Sequence, residues 1–194
     1  ASGGDVLVIS AKSELNHRYT HDLWKMSEEK NIEINSVETI SFLNSNAGSE
    51  QFIIEKIQNA EAIFFTGGDQ SKYLDRIKGT KVHLELQSKI SQGIPIAGTS
   101  AGLAIMGEYI FSAKFGGLSS HYVLQNPHAK EITIENGFLG ASELNGLITD
   151  THYMNRNREG RLLSFMYRTQ FDYNLNSIFG VGIDEQSSLV ITKN

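Results

Sequence analysis

The stretch Gly93-Ile-Pro-Ile-Ala-Gly-Thr-Ser-Ala-Gly-Leu-Ala-Ile-Met-Gly107 decides the fold of this chain. Its apolar run, residues 94–97, is broken by Gly98 and gives way at Ala101 to small residues that favour a helix. The pattern predicts a buried strand, a tight turn that carries Ser100, and the N-terminus of a helix.

Ser100 has a glycine two residues away on either side, Gly98 and Gly102. This G-x-S-x-G spacing is typical of a nucleophile elbow, in which a sharp turn exposes the serine hydroxyl. The helix that begins at Ala101 would direct its free N–H groups and positive dipole end toward an oxyanion formed there. A serine that only caps the helix would give the same pattern, so partners elsewhere in the sequence must decide.

The length of 194 residues fits one α/β domain over residues 1–194, and the composition is that of an ordinary globular protein. The formal net charge of −5 argues against nonspecific binding of nucleic acid or of an anionic membrane. The sequence contains no cysteine, which excludes disulfides, thiolate metal sites and a cysteine nucleophile. No histidine and carboxylate set has metal-ligand spacing, so we expect neither a metal nor a cofactor.

No apolar run reaches membrane-spanning length, and the first residues lack the pattern of a signal peptide. The sequence starts at Ala1 rather than at a methionine. The sequence therefore does not decide the cellular location of the protein. It is cytoplasmic, or it is periplasmic or secreted if an upstream signal was removed.

Strand and helix patterns alternate through the first half of the chain, which predicts a mostly parallel sheet with helices on both faces, a three-layer α/β fold. The predicted strands are 6–10, 32–37, 62–66 and 94–97, and the predicted helices are 13–30, 49–58, 71–77 and 82–91. Later segments are less regular, with strands predicted at 130–135, 147–150, 178–183 and 189–192 and a helix at 161–171. Turns at the carboxyl ends of parallel strands form the usual ligand crevice, and here they carry residues 67–70 and 99–102.

His152 follows a buried strand pattern, where a sheet of this kind presents its site residues. It is therefore the best candidate for the base that a serine nucleophile needs. The remaining histidines lie in helix patterns or loop-like sequence without convergent polar neighbours, and we expect surface or helix-flank positions for His17, His21, His83, His121 and His128.

Arg156, Arg158 and Arg161 cluster after His152 in a chain that is acidic overall. Cations are disfavoured at a helix N-terminus, so the cluster indicates an anionic partner, either a carboxylate or a phosphate. The adjacent carboxylates Asp184 and Glu185 are both candidates for the group that orients the histidine, because neighbouring strand residues point to opposite faces. The order serine, histidine, acid differs from that of an α/β-hydrolase.

Four segments together resemble cyanophycinases and their relatives in the dipeptidase E group of serine peptidases, peptidase family S51. The resemblance rests on Phe65-Thr66-Gly67-Gly68-Asp69-Gln70, Gly98-Thr99-Ser100-Ala101-Gly102, Asp150-Thr151-His152-Tyr153 with Arg156, Arg158 and Arg161, and Gly182-Ile183-Asp184-Glu185. It implies a fold like that of class I glutamine amidotransferases, which is flavodoxin-like, and a homodimer.

The resemblance also implies the roles of individual residues. Ser100 would be the nucleophile, His152 the base and Glu185 the orienting acid, and the N–H groups of Gly68 and Ala101 would form the oxyanion hole. The residues that would line the substrate pocket are Gln70, Asp150, Thr151, Arg156, Arg158 and Arg161.

The implied activity is that of an exopeptidase that hydrolyses β-aspartyl or related acidic dipeptide linkages, of β-Asp-Arg or β-Asp-Lys type, through an acyl-enzyme. Thr151 stands where cyanophycinases usually have glutamine, and family members begin with an additional glycine-rich strand and continue beyond the segment that ends at Glu185. Two alternatives remain, an α-aspartyl dipeptidase and a binding protein for acidic peptides that has lost catalysis.

Overall fold

The structure is a computed structural model that describes residues 4–12 and 18–192. The chain divides into two compact units, Ala1–Gly102 and Leu103–Asn194, and each unit has its own four-stranded sheet. The predicted α/β class with mostly parallel strands is confirmed. The prediction of a single catalytic domain stays a prediction.

The sheet of the first unit consists of β1 (Gly4–Ser10), β2 (Ile34–Ser41), β3 (Ala62–Phe65) and β4 (Ile96–Gly98). The strands are all parallel and lie in the order β2-β1-β3-β4. Val8 and Ile9 of the central strand β1 are fully buried, as are Ile63 and Phe65 of β3. Uninterrupted apolar runs such as these are typical of parallel strands that are covered on both faces.

The α-helices that accompany this sheet among the described residues are α1 (Arg18–Lys30), α2 (Gln51–Asn59), α3 (Gln70–Ile77) and α4 (Lys81–Ser91). The predicted start of the first helix at residue 13 lies outside the described residues. Asp69 caps α3, because its side chain accepts a 3.0 Å hydrogen bond from the backbone N–H of Ser71. The helix predicted after Ser100 is the single turn α5 (Ala101–Ala104).

The sheet of the second unit consists of β5 (Tyr109–Phe111), β6 (Ile134–Asn136), β7 (Leu147–Thr151) and β8 (Phe179–Ile183). The strands lie in the order β6-β5-β7-β8, and only the β5-β6 pair is antiparallel. Gly107 allows β5 to begin close to β7, because a Cβ at this position would stand 2.7 Å from the carbonyl oxygen of Leu147.

Two helices complete the second unit, α6 (Ser120–Gln125) and α7 (Glu159–Tyr173). The core of this unit forms where α7 packs on the sheet, and the ring of Phe165 stacks on that of Phe111 at a centroid distance of 4.2 Å. Burial of such large side chains contributes most of the favourable free energy of folding. No helix in the described part of the chain is both long and apolar enough to span a membrane.

Among the sequence-based assignments that differ from the structure are a predicted strand that is absent and a helix that was not predicted. Residues 189–192 were predicted as a strand but have no regular secondary structure, and Leu189, Val190 and Ile191 are exposed, so this prediction is wrong. A β-branched run forms a strand only where a neighbouring strand can pair with it. Helix α6 was not predicted, because its six residues are too few for a helical period to be recognised.

Candidate active site

Ser100 lies in the tight turn between β4 and α5 and has a φ of 51°. Positive φ is uncommon for a residue with a side chain, and such strained conformations concentrate at functional sites. The turn is held by backbone hydrogen bonds from Thr99 N–H to the Phe65 oxygen, 3.1 Å, and from Gly102 N–H to the Thr99 oxygen, 2.9 Å. The conformation is that of a nucleophile elbow.

Gly102 is required by the close approach of α5 to β3. A Cβ on this residue would stand 2.1 Å from the carbonyl oxygen of Phe65, far inside van der Waals contact. The second glycine of the G-x-S-x-G motif therefore lets the helix start directly against the end of the neighbouring strand.

The Gly67–Gly68 turn follows β3 and lies beside the serine. A Cβ on Gly67 would stand 3.2 Å from Cβ of Ser100, and Gly68 has a φ of 150° that favours glycine. The structure thus places the turn beside the elbow, and the oxyanion hole that the resemblance implies, with donors on Gly68 and Ala101, stays a prediction. Gln70, predicted to bind substrate, is the first residue of α3.

Tyr73 links the end of β1 to Thr66, the residue before this turn. The sequence did not indicate this role. The hydroxyl of Tyr73 lies 2.9 Å from the backbone oxygens of both Ile9 and Thr66, and 3.2 Å from Oγ1 of Thr66. Burial raises the pKa of Tyr73 to about 12. A buried tyrosine at helical spacing is usually a core residue, so nothing in the sequence distinguishes it as a link between the ends of β1 and β3.

In the second unit, Nδ1 of His152 lies 2.8 Å from Oε1 of Glu185. His152 follows β7 directly with a φ of 50°, and Glu185 comes two residues after β8. The hydrogen bond to His152 is the largest cause that lowers the pKa of Glu185, so this carboxyl is ionised at neutral pH. An ionised carboxylate only accepts hydrogen bonds, and Nδ1 of a neutral His152 must therefore carry the proton while Nε2 remains an acceptor.

Asn155 is a second residue that the sequence analysis missed. Its Nδ2 donates a 2.7 Å hydrogen bond to Oε1 of Glu185, and its backbone N–H donates to Oδ1 of Asp184 at 3.3 Å. Of the two carboxylates that the sequence left open, Glu185 thus contacts the imidazole, while Asp184 holds the turn after His152. No sequence pattern marks an asparagine in a turn as the partner of a carboxylate thirty residues away.

Gly182 allows β8 to approach the segment that carries His152. A Cβ on this glycine would stand 2.3 Å from the ring of Tyr153, and the N–H of Tyr153 donates to the Ile183 oxygen at 3.3 Å. The close contact brings the residues after β8 next to the imidazole.

Asp150 and Arg161 form a buried ion pair, and each side chain is only 4% exposed. Nε and Nη2 of Arg161 donate to the two carboxylate oxygens of Asp150 at 2.8 and 2.5 Å, a bidentate arrangement. The N–H of Thr151 donates to the same carboxylate at 2.8 Å. The pair therefore fixes the end of β7 immediately before His152.

Arg158 and Arg156 have different surroundings. Nη1 of Arg158 donates to the backbone oxygen of Thr151 at 2.7 Å, and burial, reinforced by the neighbouring charge of Arg161, lowers the pKa of Arg158 to about 10. Arg156 is exposed, and its guanidinium forms no hydrogen bond or ion pair with a side chain in the part of the chain that the structure describes. The arginine cluster is thus one buried, one half-buried and one exposed side chain.

The other histidines have different settings. His83 is buried at the start of α4, and its Nδ1 accepts a 3.1 Å hydrogen bond from the N–H of Gly79. His128 lies 3.1 Å from the hydroxyl of Tyr167 at the surface, while His17 lies outside the described residues. Across residues 4–12 and 18–192, no group of three or more histidine and carboxylate side chains stands close enough together to hold a metal ion.

Comparison with known proteins gives a family match. The model of peptidase family S51 matches residues 10–194. A cyanophycinase from Geminocystis herdmanii is 30% identical over 147 residues, which cover 75% of this chain and 48% of that protein. A cyanophycinase from Trichormus variabilis is 28% identical over 191 residues, 96% of this chain and 57% of that protein. The chain thus spans about half the length of the curated relatives it matches.

The chain also resembles solved structures, of which we describe two. A peptidase from an acI-B1 actinobacterium matches with a TM-score of 0.56 and 18% identity, over 93% of this chain and 67% of that one. A protein from Listeria monocytogenes assigned as a peptidase E matches with a TM-score of 0.53 and 20% identity, over 86% of this chain and 75% of that one. At these identities the likeness shows the fold alone, and it agrees with the predicted α/β fold.

Proposed function

Because this chain belongs to peptidase family S51, we propose that it is a serine-type peptidase with Ser100 as nucleophile, His152 as general base and Glu185 as the orienting acid. The observation that carries the proposal is the 2.8 Å hydrogen bond between Nδ1 of His152 and Glu185. An ionised carboxylate on Nδ1 selects the tautomer whose Nε2 accepts a proton, which is the form that activates a serine hydroxyl.

The proposed reaction has two halves. Oγ of Ser100 attacks the scissile carbonyl carbon and gives its proton to Nε2 of His152, and the N–H groups of Gly68 and Ala101 stabilise the resulting oxyanion. Collapse of this intermediate breaks the C–N bond, and the leaving amine takes the proton from Nε2. Water then hydrolyses the acyl-enzyme with His152 as base again, which releases the acid and restores the serine.

The proposed substrates are peptides with an acidic residue at the scissile bond, of β-Asp-Arg or β-Asp-Lys type. The support lies in the cyanophycinase names of the relatives and in Arg156, whose exposed guanidinium is available to a carboxylate. Asp150 binds Arg161 and also accepts a hydrogen bond from the N–H of Thr151, the residue before His152. These contacts support a role for the pair in positioning His152. Their substrate contact, like that of Gln70, and a homodimer stay predictions.

Hydrolysis of β-Asp-Arg, β-Asp-Lys and α-Asp-Arg, followed by chromatography of the released amino acids, tests the proposal. We expect β-linked dipeptides to be cleaved and Ser100→Ala to reduce kcat by about 10⁴-fold or more. Ser91→Ala, on the exposed end of α4, is the matched control and should keep the wild-type rate. Full activity of the Ser100→Ala protein would contradict the proposal, and a preference for α-Asp-Arg would replace the β-linkage with the α-linkage.

A further inference from the structure

The side chain of Lys12 lies against the Gly67–Gly68 turn, which forms one side of the proposed oxyanion hole. Its Cγ and Cε stand 3.2 and 3.4 Å from the point that a Cβ on Gly68 would occupy. The ammonium is one C–N bond beyond Cε, so it lies within about 5 Å of the same point. A positive charge is therefore held beside Gly68, on the turn next to Ser100.

Within the described residues, no carboxylate forms an ion pair with this ammonium. The backbone N–H of Lys12 donates to Oγ of Ser10 at 3.2 Å, which fixes the start of the side chain. In a chain with a formal net charge of −5, a cation beside the proposed catalytic turn that forms no ion pair with the described carboxylates suits an anionic ligand.

We propose that Lys12 binds the free carboxylate of an aspartyl residue whose other carboxyl group forms the scissile bond. This inference rests on the proposed function, because it places the scissile carbonyl oxygen at Gly68. In a β-aspartyl peptide the free α-carboxylate is three bonds from the scissile carbonyl carbon, and in an α-aspartyl peptide the side-chain carboxylate has the same separation. A carboxylate at that separation falls within the reach of an ammonium beside Gly68.

The side chain has two separable contributions. Its methylene groups pack on Gly68, and its ammonium would bind the substrate. Lys12→Met keeps an unbranched side chain of similar length and removes the charge, whereas Lys12→Arg keeps the charge. Lys81→Met, at the exposed first residue of α4, removes the same charge elsewhere and is the matched control.

The test measures affinity in proteins that also carry Ser100→Ala, so that no ligand is hydrolysed. The two probes are β-Asp-Arg and its analogue in which the aspartyl α-carboxylate is a carboxamide, both titrated by calorimetry. We expect Lys12→Met to weaken binding of β-Asp-Arg about tenfold or more, and to leave the carboxamide within about twofold. Lys12→Arg and Lys81→Met should bind both probes as the parent does.

Equal weakening of both probes by Lys12→Met would overturn the proposal, since it would show a role in packing or in general electrostatics. Unchanged affinity for β-Asp-Arg, or no binding of either probe to the parent, would overturn it too. Reaction of the wild-type protein with an uncharged fluorophosphonate tests the proposed function separately, because the probe has no carboxylate for Lys12 to bind. Labelling of Ser100 without discrimination between the probes would remove only the role of Lys12.

Discussion

Glu185 holds the imidazole of His152 through a 2.8 Å hydrogen bond between Oε1 and Nδ1, although the two residues stand 33 positions apart in the sequence. The bond joins the segments that follow two adjacent parallel strands, β7 and β8. It fixes which ring nitrogen carries the proton, and the proposed chemistry of Ser100 depends on that assignment.

Glu185→Gln is expected to reduce kcat by about 10³- to 10⁴-fold, with a smaller effect on KM. The amide of glutamine can donate to Nδ1, so it favours the tautomer whose Nε2 carries the proton and cannot act as a base. Steady-state hydrolysis of β-Asp-Arg measures the effect. Asp184→Asn is the control, because Asp184 accepts only from the backbone of Asn155 among its described contacts, and equal losses in both variants would contradict the assignment.

Asn155→Ala is expected to reduce kcat about tenfold, because it removes a charge-assisted hydrogen bond that holds Glu185 in place. The hydrogen bonds from His152 and then from Asn155 lower the pKa of Glu185, so loss of Asn155 raises this pKa toward its ordinary value. Titration of the Glu185 carboxyl followed by NMR should therefore show its pKa at higher pH in the variant than in the wild-type protein. An unchanged pKa together with an unchanged kcat would count against this positioning role.

Gly102→Ala is expected to lower the free energy of unfolding by about 1 to 3 kcal/mol or more, because the new methyl group overlaps the backbone oxygen of Phe65. Gly117→Ala is the matched control, since a Cβ at Gly117 meets nothing within 4 Å. Urea unfolding followed by circular dichroism compares the two proteins. Equal stability would show that α5 does not need this close approach to β3.

Arg161→Met is expected to cost about 3 to 5 kcal/mol of stability, because it leaves the carboxylate of Asp150 buried without its partner. The double variant Asp150→Asn with Arg161→Met should recover part of this loss, because no unpaired charge remains buried. Arg18→Met removes one partner of the exposed pair with Asp22 and should cost about 1 kcal/mol or less. If Arg161→Met also costs about 1 kcal/mol or less and raises KM, direct contact of Arg161 with substrate is favoured instead.

Periodicity and turn chemistry were sufficient to predict the strands that lead to Ser100 and His152. The elbow was visible because Gly98 and Gly102 interrupt an apolar run, and the structure adds the reason for Gly102, its contact with Phe65. Residues 189–192 show the limit of such patterns, because the run has strand propensity but no strand pairs with it among the described residues.

The supporting residues were not predictable, because their roles come from tertiary contacts. Asn155 and Tyr73 have partners that are distant in the sequence or belong to the backbone, and neither contact leaves a periodic signal. Arg161 was predicted to bind an anion, and the structure shows its guanidinium buried against Asp150. Arginine is usually exposed, so sequence alone could not distinguish this buried side chain from the exposed Arg156.

The rate at which an uncharged fluorophosphonate modifies Ser100, followed by mass spectrometry of the peptide that contains it, tests whether His152 activates this serine. We expect a single adduct on Ser100 in the wild-type protein, formed about 10²-fold or more slowly in His152→Ala. His128→Ala, which removes a surface imidazole, should react at the wild-type rate. No adduct on Ser100, or the same rate without the imidazole of His152, would show that these two residues are not a nucleophile and its base.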